Sequence, residues 1–137
     1  MNNLFFVIFA LAALALPPLA VVQGDLSHYQ GKNRLLLVFA PGRSDPRWQK
    51  QNALLQRSTE AFRDRDLVRI DYLETGGSNG AEVRTHYGVK PGQFRVLLIG
   101  KDGHVASGGP NPIALSKLTR QIDRMPMRRE EMRRRGR

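Results

Sequence analysis

The sequence contains no cysteine. That absence excludes thiol nucleophiles, disulfide exchange and every metal site built on thiolates. A chain that enters an oxidising compartment without disulfides must hold its fold by its core alone. Histidine is scarce as well, with three residues, His28, His86 and His104. No two of them stand at metal-ligand spacing and no carboxylate cluster joins them, so no metal and no cofactor is expected. Acidic charge is short: 12 Asp and Glu stand against 22 Lys and Arg, for a formal net charge of +10. Charge of either sign is missing from the first 24 residues, where Leu4 to Leu16 is a run of 13 apolar residues followed by Pro17 and Pro18. Residues 1–24 therefore have the build of a secretory signal peptide, with cleavage after Gly24 or Ala20. The alternative is an uncleaved membrane anchor, because Leu4 to Val22 nearly reaches the length needed to span a bilayer. The expected address is the periplasm or the outside of the cell.

What is present is one domain with a central strand. The chain has 137 residues, 41% of them hydrophobic, which suffices for a single core over residues 25–125. Leu35, Leu36, Leu37, Val38 and Phe39 form an apolar run without polar alternation, the pattern of a strand covered on both faces. Pro41 and Gly42 end it. Ser44 or Asp45 is placed to cap the next helix, and Pro46 suits that helix's first position because its missing N–H would be unpaired there anyway. The turn thus aims a helix start at the carboxyl edge of the sheet, the edge where ligands of open α/β sheets bind.

The rest follows in order. Leu26 and Tyr29 suit a short helical turn packed on the domain edge. Trp48, Leu55 and Phe62 recur every seven residues, which predicts one helix from Pro46 to about Asp64. Asp66 to Leu73 reads as a strand with Val68, Ile70 and Tyr72 on one face and Leu67 and Leu73 on the other. Ala81 to Tyr87 is a short helix that uses Val83 and Tyr87 inward and stops at Gly88. Phe94 to Ile99 and His104 to Ser107 are strands joined by the turn Gly100 to Gly103. Asn111 and Pro112 are expected to open a last helix that carries Leu115, Leu118, Ile122 and Met125 inward, with Pro126 as its stop. The element order is βαβαββα.

That order, with VFAP before a turn and a Pro-started helix, and YGV followed by LLIG and KDG, resembles a minimal thioredoxin-like domain. The pieces DLSHYQGKNRLLLVFAP, DPRWQKQ, RDLVRID, VLLIGKDG and MPMRREEM resemble more closely a family of exported bacterial thioredoxin-like domains of unknown function, which also supplies domains to the vertebrate DUDES group of extracellular proteins. The resemblance implies a mixed four-stranded sheet with helices on both faces, and an extracytoplasmic setting. It implies no mechanism. Where thioredoxins carry their cysteines this chain has Arg43, Ser44, Asp45, Pro46 and Arg47, and Arg95 opens the third strand at the position of the thioredoxin cis-proline.

Two stretches remain as candidates for function. Arg43, Ser44, Asp45 and Arg47 surround a helix start that could bind an anion, although a well-capped helix with solvated arginines accounts for the same residues. Residues 126–137 form a basic tail in which Arg128, Arg129, Arg133, Arg134, Arg135 and Arg137 could contact lipid headgroups, envelope polymers or sulfated glycans. Nucleic acid ranks last among such partners, because the leader directs the chain away from it. The order Ser44, Asp71, then His86 or His104 matches that of α/β hydrolases, but Pro46 stands where the elbow motif has glycine and the chain is far smaller than that fold. No catalytic residue is assigned, and Asp71 reads as half of a structural ion pair. The function expected is a non-enzymatic binding or interaction module; the alternatives are a cysteine-independent enzyme using the same helix-start edge and a structural envelope protein.

Overall fold

The computed structural model describes residues 26–137, so the leader expected at 1–24 lies outside the described part. Strand β1 (Arg34–Ala40) is buried along its whole length. It lies between β2 (Leu67–Leu73), with which it is parallel, and β3 (Arg95–Ile99), with which it is antiparallel, and β4 (Val105–Gly109) completes the order β2-β1-β3-β4. Having neighbours on both sides and layers on both faces, β1 is apolar at every position after Arg34. Its alternation instead divides two cores. Leu36, Val38 and Ala40 face a core with Leu67, Leu73, Phe94, Leu98, Leu118 and Ile122, while Leu35, Leu37 and Phe39 face one with Tyr72, Val83, Val89, Leu97 and Ile99. The fold is the expected α/β class, a mixed sheet with helices on both faces. A 3-10 turn, Ser27–Tyr29, closes one edge, with Leu26 and Tyr29 against the second core as expected.

Three helix expectations need correction. The single helix expected from Pro46 to Asp64 is two, α1 (Pro46–Leu54) and α2 (Thr59–Asp64). Between them Leu55 turns into the core, Arg57 takes a left-handed φ of 58°, and the Ser58 hydroxyl donates to the Leu55 carbonyl at 2.6 Å. The seven-residue stripe survives because Trp48, Leu55 and Phe62 still pack on the first core from either side of the break. Helix α3 (Ala81–Tyr87) has its expected bounds, whereas α4 (Leu115–Asp123) starts three residues after Pro112, from Ala114 and without a side-chain cap. Its delayed start follows from Gln51. That fully buried amide donates to the Ile113 carbonyl at 2.9 Å and accepts from the Ile113 N–H at 2.8 Å, which clamps both backbone groups of Ile113 ahead of the helix. Pro126 does not only stop α4; it is the first residue of α5 (Pro126–Arg134), built by residues expected to be a basic tail.

Candidate functional site

The direction of β1 gives the sheet two ends. At the carboxyl end lie the turn Pro41 to Asp45, the loop from Glu74 to Gly80 and the start of β3, as the β1–β3 register places Arg95 opposite Phe39. At the amino end lie Arg34, Lys101, the β3–β4 turn and α5.

At the carboxyl end the helix start is already occupied by a carboxylate of the chain itself. Asp45, not Ser44, is the cap: its Oδ1 accepts from the backbone N–H of Arg47 at 2.9 Å and of Trp48 at 3.4 Å. Arg47 folds back onto the same group, with Nε and Nη2 donating to the two Asp45 oxygens at 3.0 and 2.7 Å. Hydrogen bonding from Arg47 holds the Asp45 carboxyl below its ordinary pKa, against a smaller opposing effect of burial. The donors that would receive an external anion are therefore engaged, and Arg47 also caps the Gly92 carbonyl at 3.3 Å and lies over Phe94. Ser44 and Arg43 are exposed, and the Arg43 side chain has no partner among the described residues. Of the four residues expected at this edge, the geometry joins Asp45 and Arg47 into a closed pair and leaves Arg43 free.

The hydrolase-like set does not assemble. Asp71 accepts from Trp48 Nε1 at 2.7 Å and is paired with Arg69 on the α1 face of the sheet. His86 is exposed on α3, which covers the other face, and His104 sits in the turn at the opposite end of the sheet from Ser44. Among the described residues no group of three or more His, Asp or Glu side chains could hold a metal ion.

At the amino end α5 is fastened by charge. Arg128 is 2% exposed, so it is not available to an external anion. Its Nε donates to Asp123 at 3.1 Å, its Nη1 to the Asp64 carbonyl at 2.7 Å and its Nη2 to the Asp64 carboxylate at 2.7 Å. Glu131 accepts two bonds from the buried Arg34, at 3.1 and 3.2 Å, and one from Lys101 at 2.6 Å. Arg135 and Arg137 reach Asp64 as well. Burial raises the Glu131 pKa, but Arg34 and Lys101 lower it further, so the carboxyl ends below its ordinary value. Asp64 and Asp123 behave alike: burial pushes up, and hydrogen bonds from Arg128 and its neighbours more than reverse it. The outward side of α5 carries Arg129, without a partner among the described residues, and Arg133 and Arg134, which share Glu130.

Sequence reasoning missed Arg34, Arg84, Arg128 and Gln51 as buried polar groups. A polar residue on the inward stripe of a helix was the available signal for Gln51. For Arg84, the middle residue of a seven-residue helix, no periodicity could separate an inward from an outward face.

A β2-β1-β3-β4 sheet covered on both faces, with a Pro-started helix after the central strand, defines a thioredoxin-like domain. Solved structures it resembles include the reduced 2-Cys peroxiredoxin of Plasmodium vivax, with a TM-score of 0.60 and 19% identity over 77% of this chain and 83% of that one. StoA of Bacillus subtilis is similar at a TM-score of 0.50 and 13% identity, over 66% of this chain and 82% of that one. At such identities the likeness is of fold alone. The chain belongs to the family described as Domain of unknown function (DUF4174), which it matches over residues 25–131. Among curated relatives, Coiled-coil domain-containing protein 80 of Danio rerio is 29% identical over 139 residues, covering 81% of this chain. This chain spans 16% of that relative's length.

Proposed function

We propose that the chain is an exported, non-enzymatic binding domain on a thioredoxin-like scaffold, which recognises anionic surfaces through exposed arginines that outnumber the acids beside them. The observation that carries this reading is Asp45. Where the scaffold offers a helix start at the carboxyl edge of its sheet, the chain places a carboxylate that already holds two backbone N–H groups and the Arg47 side chain. A group so satisfied is a poor nucleophile and a poor base. Ser44 beside it is exposed, and Asp71 is taken by Trp48 and Arg69.

Recognition by charge is supported by the net charge of +10 and by the exposure of Arg43 at one end and of Arg129, Arg133 and Arg134 at the other. The partner class is an anionic surface: lipid headgroups, envelope polymers or sulfated glycans. Export rests on the apolar, uncharged leader. Among the described residues no helix is long and apolar enough to cross a membrane.

The test is binding of the full-length protein to anionic vesicles, lipopolysaccharide and sulfated polysaccharide across a salt series, with an R129Q/R133Q/R134Q variant alongside. Each basic residue near an anionic surface contributes about 1 kcal/mol, so the triple variant should bind roughly a hundredfold more weakly. Binding that ignores both salt and the three substitutions would remove the charge-based reading.

A further inference from the structure

The carboxyl end of the sheet holds a second group of arginines, on the face opposite α1. Arg84 of α3 is 8% exposed, and no carboxylate lies within hydrogen-bond distance of it. Its Nε donates to the Asn79 carbonyl at 2.6 Å and its Nη2 to the carbonyls of Ala40 and Tyr72 at 3.2 and 3.0 Å. Its Nη1 is buried and has no hydrogen-bond partner. The nearest acid, Glu74, stands 3.8 Å from that nitrogen and gives the same oxygen to the Gly92 N–H at 2.8 Å. Burial lowers the Arg84 pKa, and the Glu74 charge only partly opposes this.

Arg95 is the second cation. It stands directly across the β1–β3 ladder from Phe39, so both side chains leave the same face of the sheet. The Arg84 guanidinium lies 5.6 Å from the centroid of that same Phe39 ring. Arg95 is half-buried, its Nε is buried without a partner, and its guanidinium makes no ion pair among the described residues. An unpaired buried donor on a charged group is costly, and a bound anion removes that cost.

From this geometry we infer that Arg84 and Arg95 form a binding site for a small monocarboxylate, with Arg95 as the outer, reachable fork and Arg84 as the inner, fixed charge. Two arginines against Glu74 leave one positive charge, which one carboxylate neutralises and a dianion would overshoot. The planar fork of a guanidinium matches a carboxylate with two parallel bonds. Beneath Arg84 the buried rings of Phe39 and Tyr72 stack at 5.3 Å and keep water from that side, which strengthens the pairing. The site is separate from the surface arginines of the preceding proposal and stands without it.

The test is an NMR titration of the full-length protein with sodium acetate, with ionic strength held by sodium chloride and the arginine Nε–H signals observed. The expected result is saturable shifts at Arg84 and Arg95 that chloride does not produce. R95Q should weaken acetate binding about tenfold or more, as loss of a charge-assisted pair requires. R120Q, exposed on α4 of the other face, should leave it unchanged. If R95Q proves unfolded by circular dichroism, R95K serves in its place, since it keeps the charge but loses the fork, and several-fold weaker binding is expected. Acetate shifts no larger than those of chloride would overturn the site. So would acetate binding that the folded Arg95 variant retains in full, and inorganic phosphate binding more than tenfold tighter than acetate would overturn the monocarboxylate assignment.

Discussion

Replacing Arg128 by methionine isolates the charge that fastens α5, because methionine keeps much of the unbranched stem and removes only the guanidinium. Three donated bonds go, two of them to carboxylates and one to the Asp64 carbonyl. Removing one member of a buried ion pair costs about 3–5 kcal/mol, since the other is left uncompensated. Here the acids are less stranded than that. Asp64 keeps Arg65, Arg135 and Arg137, Asp123 keeps a two-point contact with Arg65, and the two carboxylates are 26% and 33% exposed, so water can return to them. The expected loss is therefore about 2–3 kcal/mol, near a 10 °C fall in Tm for a domain of this size. Urea is the right denaturant, because an ionic one would screen the pairs being measured. R129M, one position along and exposed, is the control and should stay within about 0.5 kcal/mol of the parent. Equal midpoints for R128M and R129M would refute the reasoning and return residues 126–137 to a solvated extension.

The same latch gives stability a pH dependence of known sign. The carboxyls of Asp64, Asp123 and Glu131 lie below their ordinary values of 3.8, 3.8 and 4.5 in the folded chain. Groups depressed on folding stabilise fully above their unfolded pKa, and the contribution is lost as pH falls through the folded value. The urea midpoint should therefore hold through neutral pH and fall on acidification below about pH 4.5, where Glu131 begins to matter. In R128M the part of that fall owed to Asp64 and Asp123 should shrink.

Three further contacts are probed by single substitutions. Q51L keeps the volume but leaves the N–H and carbonyl of Ile113 unpaired in the interior, so a loss of about 2–3 kcal/mol in urea unfolding is expected; a change under about 0.5 would mean that Ile113 finds other partners. G80A should cost more than G76A. Both glycines have left-handed φ, 62° and 77°, but an added Cβ at Gly80 would fall 2.1 Å from the Tyr72 ring while that at Gly76 meets nothing. The expected losses are about 2–3 and about 1 kcal/mol, and equal Tm shifts would deny the contact with Tyr72. D45A should lower stability by about 1 kcal/mol through loss of the cap. By freeing Arg47 it should also strengthen binding to sulfated polysaccharide about fivefold, and weaker binding would contradict a charge-based edge.

Much of the sheet was legible because it is written in apolar contrast. The unalternating run from Leu35 to Phe39 can only be a central strand, and the alternation of Val68, Ile70 and Tyr72 against Leu67 and Leu73 assigns both faces of β2 correctly. The break between α1 and α2 was hidden because the stripe of Trp48, Leu55 and Phe62 is continuous through it, and no glycine or proline marks the turn; Arg57 itself carries the positive φ. At the carboxyl edge the sequence located the helix start but not its state. Capping by Asp45 and its closure by Arg47 depend on a side chain folding back two residues, which spacing alone does not decide.

Helix α5 shows the limit of periodicity most clearly. Its only buried residue is Arg128, its partner groups are Glu131 and the acids of α2 and α4, and Met127 is exposed. A face recognised by apolar residues at i, i+3 and i+4 does not exist here, because the anchoring stripe is itself charged. Read by composition, MRREEMRRRGR is a tail; read by pairing, Arg128 and Glu131 point in while Arg129, Arg133 and Arg134 point out. The two sets are coupled. The outward arginines form a fixed array only while the inward pairs hold, so a substitution that undocks α5 also disperses the charge offered to a partner. R128M should consequently weaken binding to anionic vesicles at pH values where E130Q, which removes an outward acid, strengthens it. The opposite signs alone match mere net charge, because R128M lowers the net charge by one and E130Q raises it by one, so the size of the R128M loss has to separate an ordered arginine surface from a charge count. Removing the exposed Arg120 supplies the scale: a loss of binding in R128M no larger than in R120M would reduce the latch to a charge count.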